Sequence, residues 1–169
     1  MKKRIVAILG LLVLYSCTNT YPVFCTKYPV SFSCELSKPP FNSLNTLGYF
    51  LTVRAKATHD GYIVRFPDGS QQEYLYTEIQ NRVFQFGLAG IIIGCPYFAE
   101  GTAYAYDLGC PQCDRSSVRL NVSTDGIASC AVCKSEYNLN NDGISETGSS
   151  RPLYRYQTTR NGTYLMVHN

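Results

Sequence analysis

The sequence predicts an all-β fold, and three observations carry that expectation. Tyrosine (14) and phenylalanine (8) are abundant in the 169 residues, while Asp, Glu, Lys and Arg together make only 16%. Aromatic and β-branched side chains suit a pleated, half-buried surface. Short apolar runs of strand length recur along the chain, separated by turn signals rich in Gly, Asp and Pro. Helical apolar spacing is missing from every stretch of about a dozen residues, apart from a weak instance over Glu73 to Phe84.

Each element has its own local reason. Val30, Phe32, Cys34 and Leu36 alternate with smaller or polar residues, as one face of a strand does. Tyr49 to Val53 continues the pattern, and His59-Asp60-Gly61 turns into Tyr62 to Phe66. Pro67-Asp68-Gly69-Ser70 is a strong turn. Val83 to Phe86, Gly90 to Gly94 and Tyr104 to Leu108 are further short runs. Val118, Leu120 and Val122 alternate, and Asp125-Gly126 closes a hairpin onto Ile127 to Ser129. Asp142-Gly143 and Asn161-Gly162 are turns of the same kind, the latter joining Leu153 to Thr158 with Thr163 to Val167. A sandwich or barrel is the expected architecture.

The N-terminus reads as an export signal. Met1-Lys2-Lys3-Arg4 is basic, Ile5 to Leu14 is apolar, and Leu14-Tyr15-Ser16-Cys17 follows. A basic start, an apolar stretch and a small-residue cleavage site make a secretory signal. The stretch is too short to span a bilayer, which takes roughly 20 residues. The cleavage site resembles the lipobox of bacterial lipoproteins, with Leu14 and Ser16 at the apolar and small positions and Tyr15 unusual between them. That resemblance implies lipid on Cys17, a membrane anchor made of several acyl chains, and an outer-membrane address, since no Asp follows Cys17. The expected organisation is a signal over residues 1–16, a lipidated tether over 17–28, and one β domain over 29–169.

Formal net charge is +3, and Lys2, Lys3 and Arg4 leave with the signal. The remainder is near neutral, so nothing in it argues for nucleic acid as a partner.

Chemistry is concentrated in cysteine. Cys110-Pro111-Gln112-Cys113 and Cys130-Ala131-Val132-Cys133 are two C-x2-C motifs separated by sixteen residues. This spacing matches a four-thiolate metal site. Two intervening residues let one tight turn present both sulfurs to one ion, and a hairpin brings two such turns together. Zinc suits four thiolates, and so does iron. The same proximity also allows disulfides, which exported proteins often form. Cys25, Cys34 and Cys95 lie outside the motif, and a Cys34–Cys95 bridge is one possible pairing. His59-Asp60 sits on a turn, and Asp107, Asp114 and Asp125 read as turn and edge residues. Tyr97, Tyr104, Tyr106, Tyr154, Tyr156 and Tyr164 form either a ligand face or ordinary strand packing.

From Gly90 to Val167 the chain resembles the Rieske iron–sulfur domain. Tyr104 to Pro111 looks like its first ligand loop and Cys130 to Leu139 like its second, with four-cysteine loops over about 104–139. Gly143, Gly148, Pro152-Leu153 and Tyr156 fall where that family has its turn, its proline loop and its closing strand. The resemblance implies a Rieske-like antiparallel sandwich or barrel bearing a small rubredoxin- or zinc-ribbon-like subdomain. A Rieske centre needs two histidines. Here Cys113, one residue late, and Cys133 stand at those positions, and the only histidines are His59 and His168.

Three functions follow as expectations. The first is a binding or structural envelope lipoprotein, facing the periplasm or the exterior and engaging an envelope protein partner, whose four-cysteine site is structural and holds zinc or disulfides. The second is an electron carrier with a [2Fe–2S] cluster or a single iron. The third is a thiol–disulfide oxidoreductase. No catalytic residue is assigned.

Overall fold

A computed structural model describes residues 23–99, 101–148 and 151–169. The signal over 1–16 and Cys17 lie outside the described residues. The fold is all-β. Its strands are β1 (Val30–Glu35), β2 (Tyr49–Ala55), β3 (Gly61–Arg65), β4 (Gln71–Leu75), β5 (Gln85–Phe86), β6 (Ile91–Cys95), β7 (Tyr104–Asp107), β8 (Leu120–Val122), β9 (Ile127–Cys130), β10 (Glu136–Asn138), β11 (Ile144–Thr147), β12 (Arg155–Asn161) and β13 (Tyr164–His168). A 3-10 helix (Phe41–Asn45) follows β1, and a single-turn helix α1 (Glu78–Val83) precedes β5. Thr77 and Gln80 cap α1 reciprocally, side chain to backbone, and none of its residues is buried.

Two antiparallel sheets form. The large one has the order β4-β3-β2-β6-β7-β12-β13-β1-β5, and the small one β11-β10-β9-β8. The large sheet curls, so that β5 returns to packing distance of β2. Alternation along its strands explains the two cores. Leu51 and Val53, Ile91 and Ile93, and Ala105 point into the curl, where they meet Phe32, Cys34, Tyr62, Val64, Leu165 and Val167. Phe32 lies at the centre of an aromatic cluster, its ring 4.9–5.9 Å from those of Phe41, Tyr62, Phe84 and Phe86. Phe50, Ile92 and Tyr106 point the other way, onto Leu120, Ala128, Cys130, Tyr137 and Leu139 of the small sheet and its loops. Ile92 is fully buried between the layers. Ile92→Val is therefore expected to cost about 1 kcal/mol, a fall in thermal midpoint of roughly 2–4 °C. A calorimetric scan checks it.

The predicted turns hold where the geometry demands them. Asp142 and Gly143 both take positive φ, 51° and 67°. Asn161-Gly162 joins β12 to β13 with Asn161 opposite Tyr164. The weak helical signal over Glu73 to Phe84 is corrected: its first part is the edge strand β4, and only Glu78–Val83 is helical. Residues 23–28 are the described part of the expected tether. Phe24 bridges to Arg155, and the Cys25 amide donates to the Arg155 carbonyl at 2.7 Å. The Asn169 side chain also donates to the carbonyls of Cys25 and Tyr28 at 3.0 and 2.8 Å. Among the described residues, no helix is long and apolar enough to cross a membrane.

Candidate metal centre

The four cysteines sit on two turns built alike, one in the connection from β7 to β8 and one between β9 and β10. In the first, the Asp114 amide closes back onto the Cys110 carbonyl at 2.8 Å; in the second, the Lys134 amide closes onto the Cys130 carbonyl at 3.0 Å. Both closing residues take positive φ, 50° for Asp114 and 61° for Lys134. Asp tolerates that region; Lys does so only under constraint. A further bond fixes each turn at its base: the Cys110 amide to the Val118 carbonyl at 3.1 Å, and the Cys130 amide to the Ser135 carbonyl at 2.9 Å. The β8–β9 hairpin then sets the turns face to face, with Leu120 opposite Cys130.

The four Sγ atoms lie within 4.8 Å of one another. The contacts that cross between the motifs are close, Cys110–Cys133 at 3.5 Å and Cys113–Cys130 at 3.9 Å. A tetrahedral ion with metal–sulfur bonds of about 2.3 Å sets its sulfurs about 3.8 Å apart. A disulfide would need about 2.05 Å, and none is formed among the described cysteines. Cys110 and Cys130 are buried in the inter-sheet core, whereas Cys113 and Cys133 are half-buried at its rim.

Protons and a cation compete for these sulfurs. Burial and the thiols of Cys133, Cys110 and Cys130 push Cys113 up to about 12. Burial also works against a Cys133 thiolate, but the Ser135 hydroxyl and amide and the thiols of Cys130 and Cys110 outweigh it, bringing Cys133 down to about 6. A divalent ion lets all four ionise, because a coordinating thiol is deprotonated outright.

Two aspartates lock the first turn in place. Asp107, at the end of β7, is fully buried. Its carboxylate accepts from the Tyr156 hydroxyl (2.5 Å), the Leu88 amide (2.6 Å) and the Gly109 amide (2.6 Å). Burial pushes this carboxyl up, and those donors oppose the shift. Asp114 accepts from Lys27 Nζ (2.8 Å), the Tyr28 hydroxyl (2.5 Å) and the Tyr154 hydroxyl (2.8 Å), and these hold its carboxyl well below the usual range. It ties the Cys113 turn to residues 27–28 and to the loop before β12. Asp114→Ala removes three acceptor contacts and puts a β-carbon without a polar partner in the left-handed region. A loss of about 1–2 kcal/mol is expected, to be read from the urea midpoint at constant slope.

Asp114 sits in its turn and Asp125 is exposed in the hairpin turn, whereas Asp107 ends β7 fully buried, with bonds that the sequence reading did not anticipate. The Cys34–Cys95 bridge is not formed: Cys34 faces the aromatic interior of the curl, and Cys95 Sγ lies 3.8 and 3.7 Å from the carbonyls of Ala99 and Thr102. The six tyrosines do not share a face. Tyr106 and Tyr156 are fully buried, and Tyr97 and Tyr164 are exposed.

No protein-family model matches the chain, and no curated protein matches it.

Proposed function

We propose that this chain is a lipid-anchored protein of the bacterial cell envelope. In this reading its Rieske-like β domain is stapled by one metal ion, zinc, on Cys110, Cys113, Cys130 and Cys133. One observation carries the metal: four thiols lie within 4.8 Å of one another on two turns of the same construction. A two-iron cluster divides its four ligands between two irons and so spreads the two pairs of sulfurs apart, whereas here all four lie within 4.8 Å of one another, as around a single ion. Four protein ligands leave no open coordination position, which is the mark of a structural site. The role is then to hold the small sheet on the large one while the domain engages an envelope partner. No α-helix follows either C-x2-C turn among the described residues, which counts against a thiol–disulfide oxidoreductase.

A second reading has its own support. Cys113 and Cys133 are half-buried, so a single iron in the same site would have an edge near solvent for electron transfer. Metal analysis and the visible spectrum of the purified protein separate the two. One zinc per chain without colour supports the staple. Iron with charge-transfer bands makes the protein an electron carrier. Absence of metal together with loss of all four thiols means disulfides.

The anchor rests on Leu14, Ser16 and Cys17 after a basic-apolar leader. Mass spectrometry of the membrane fraction is expected to find Cys17 as an acylated N-terminal residue. Unmodified chain beginning at Met1 would contradict this.

A further inference from the structure

We propose that a second site, in a cavity between the end of β2, helix α1 and the β5–β6 loop, binds a small organic anion. Its carboxylate or phosphate group pairs with Arg54 and Arg119, and its apolar body rests on Tyr76, Phe84 and Phe86.

The cavity measures about 540 Å³, within the usual range of roughly 300–1,000 Å³ for small-molecule sites. Arg54 comes from the large sheet and Arg119 from the loop leading into the small one, so the cavity spans both layers. The charges there are arranged for an anion from outside. Glu73, the carboxylate that acts on Arg54, is already held by Lys56 at 3.2 Å, and the same lysine holds Asp60 at 3.3 Å. Arg54 forms no hydrogen bond or ion pair with a described side chain. Burial and the charge of Arg119, only partly offset by Glu73, disfavour its protonated form. Arg119 gives one N–H to the Ala89 carbonyl at 3.1 Å, which leaves the rest of its five donors for a ligand.

Two guanidiniums in one cavity repel, and an oxyanion that pairs with both relieves the repulsion through charge-assisted bonds. Gly90 permits this arrangement. It has φ 130°, and a β-carbon there would lie 2.8 Å from the Val53 carbonyl and 3.0 Å from Arg54 Cβ. The apolar wall is supplied by the aromatic cluster reaching the cavity from the core, and His59 and Asn81 add polar groups. The metal centre is not part of this site.

The test is a titration of the isotope-labelled purified protein with phenyl phosphate, with benzoate and with uncharged benzamide, followed by two-dimensional NMR. Both anions are expected to shift the amides of Gly87, Leu88, Ala89, Gly90 and Arg119, and benzamide is not. Arg54→Gln and Arg119→Gln should each weaken anion binding about tenfold, the loss of one charge-assisted interaction. Arg115→Gln, at an exposed position outside the cavity, should leave it unchanged. Arg119 is exposed, so its variant keeps the test valid if Arg54→Gln unfolds. The proposal is overturned by equal binding of benzamide, by shifts away from the cavity, by absence of binding, or by affinity unchanged in a folded arginine variant.

Discussion

If the proposed zinc is bound, stripping it, or replacing Cys130 by Ser, is expected to unfold the small sheet and leave the curled sheet standing. The core inside the curl contains none of the four cysteines, whereas Cys110 and Cys130 are part of the core between the sheets. β8, β10 and β11 are only 3 or 4 residues long, and such short strands are marginal without a staple. Metal binding to a thiolate site is itself folding free energy, about 10 kcal/mol or more in the smallest zinc domains. Part of that is retained here by packing against Phe50, Ile92 and Tyr106. A fall in thermal midpoint of at least about 10 °C is the expected result, each 1 kcal/mol being worth roughly 2–4 °C in a chain of this size. Hydrogen exchange locates the loss. Amides of β8 to β11 should lose protection while β2, β6, β12 and β13 keep theirs. An unchanged midpoint with unchanged protection would mean that the four sulfurs do not hold the lobe.

Asp107→Ala is expected to cost about 4 kcal/mol, since it leaves two buried donors and one partly buried donor without their acceptor at about 1–3 kcal/mol each. The donors are the Tyr156 hydroxyl on β12, the Leu88 amide after β5 and the Gly109 amide directly before Cys110. The side chain therefore joins the closing strand, the loop beside the arginine-lined cavity and the first metal turn. Asp107→Asn should also destabilise, by less, because its amide group brings a donor toward donors. Tyr156→Phe removes one donor with the ring kept, and as a second change in Asp107→Ala it should cost less than it does alone. Urea unfolding of the four forms makes the cycle. Full additivity, or an Asp107→Ala loss under about 0.5 kcal/mol, would show that this carboxylate is not the tie described.

The large sheet was legible because most of its strands bury one face and so alternate: Val30, Phe32 and Cys34 face inward in sequence steps of two, as do Leu51 and Val53. β4 was not legible. Gln71-Gln72-Glu73-Tyr74-Leu75 is an edge strand with little buried surface, and an edge needs only its hydrogen bonds to β3. β10 and β11 escaped for a related reason, being short and joined through polar turns. The four cysteines were legible as a set because metal geometry demands their spacing. Whether they were thiols or disulfides was not, because both need sulfurs close together. The locks by Asp107 and Asp114 were hidden for another reason. A carboxylate in a Tyr-Ala-Tyr-Asp strand and one directly after a C-x2-C motif look like surface polar residues until Tyr156, Tyr28 and Tyr154 arrive from distant strands and loops. Alternation in Tyr104-Ala105-Tyr106-Asp107 was the one available signal, since it places Asp107 on the same face as the buried Ala105.

The most direct test of the central claim is X-ray absorption spectroscopy at the metal edge of the purified protein. A single ion on Cys110, Cys113, Cys130 and Cys133 gives one shell of four sulfur neighbours at about 2.3 Å with no second metal. Nitrogen or oxygen neighbours, metal–metal scattering, or a protein with no metal and two disulfides at these positions would contradict it.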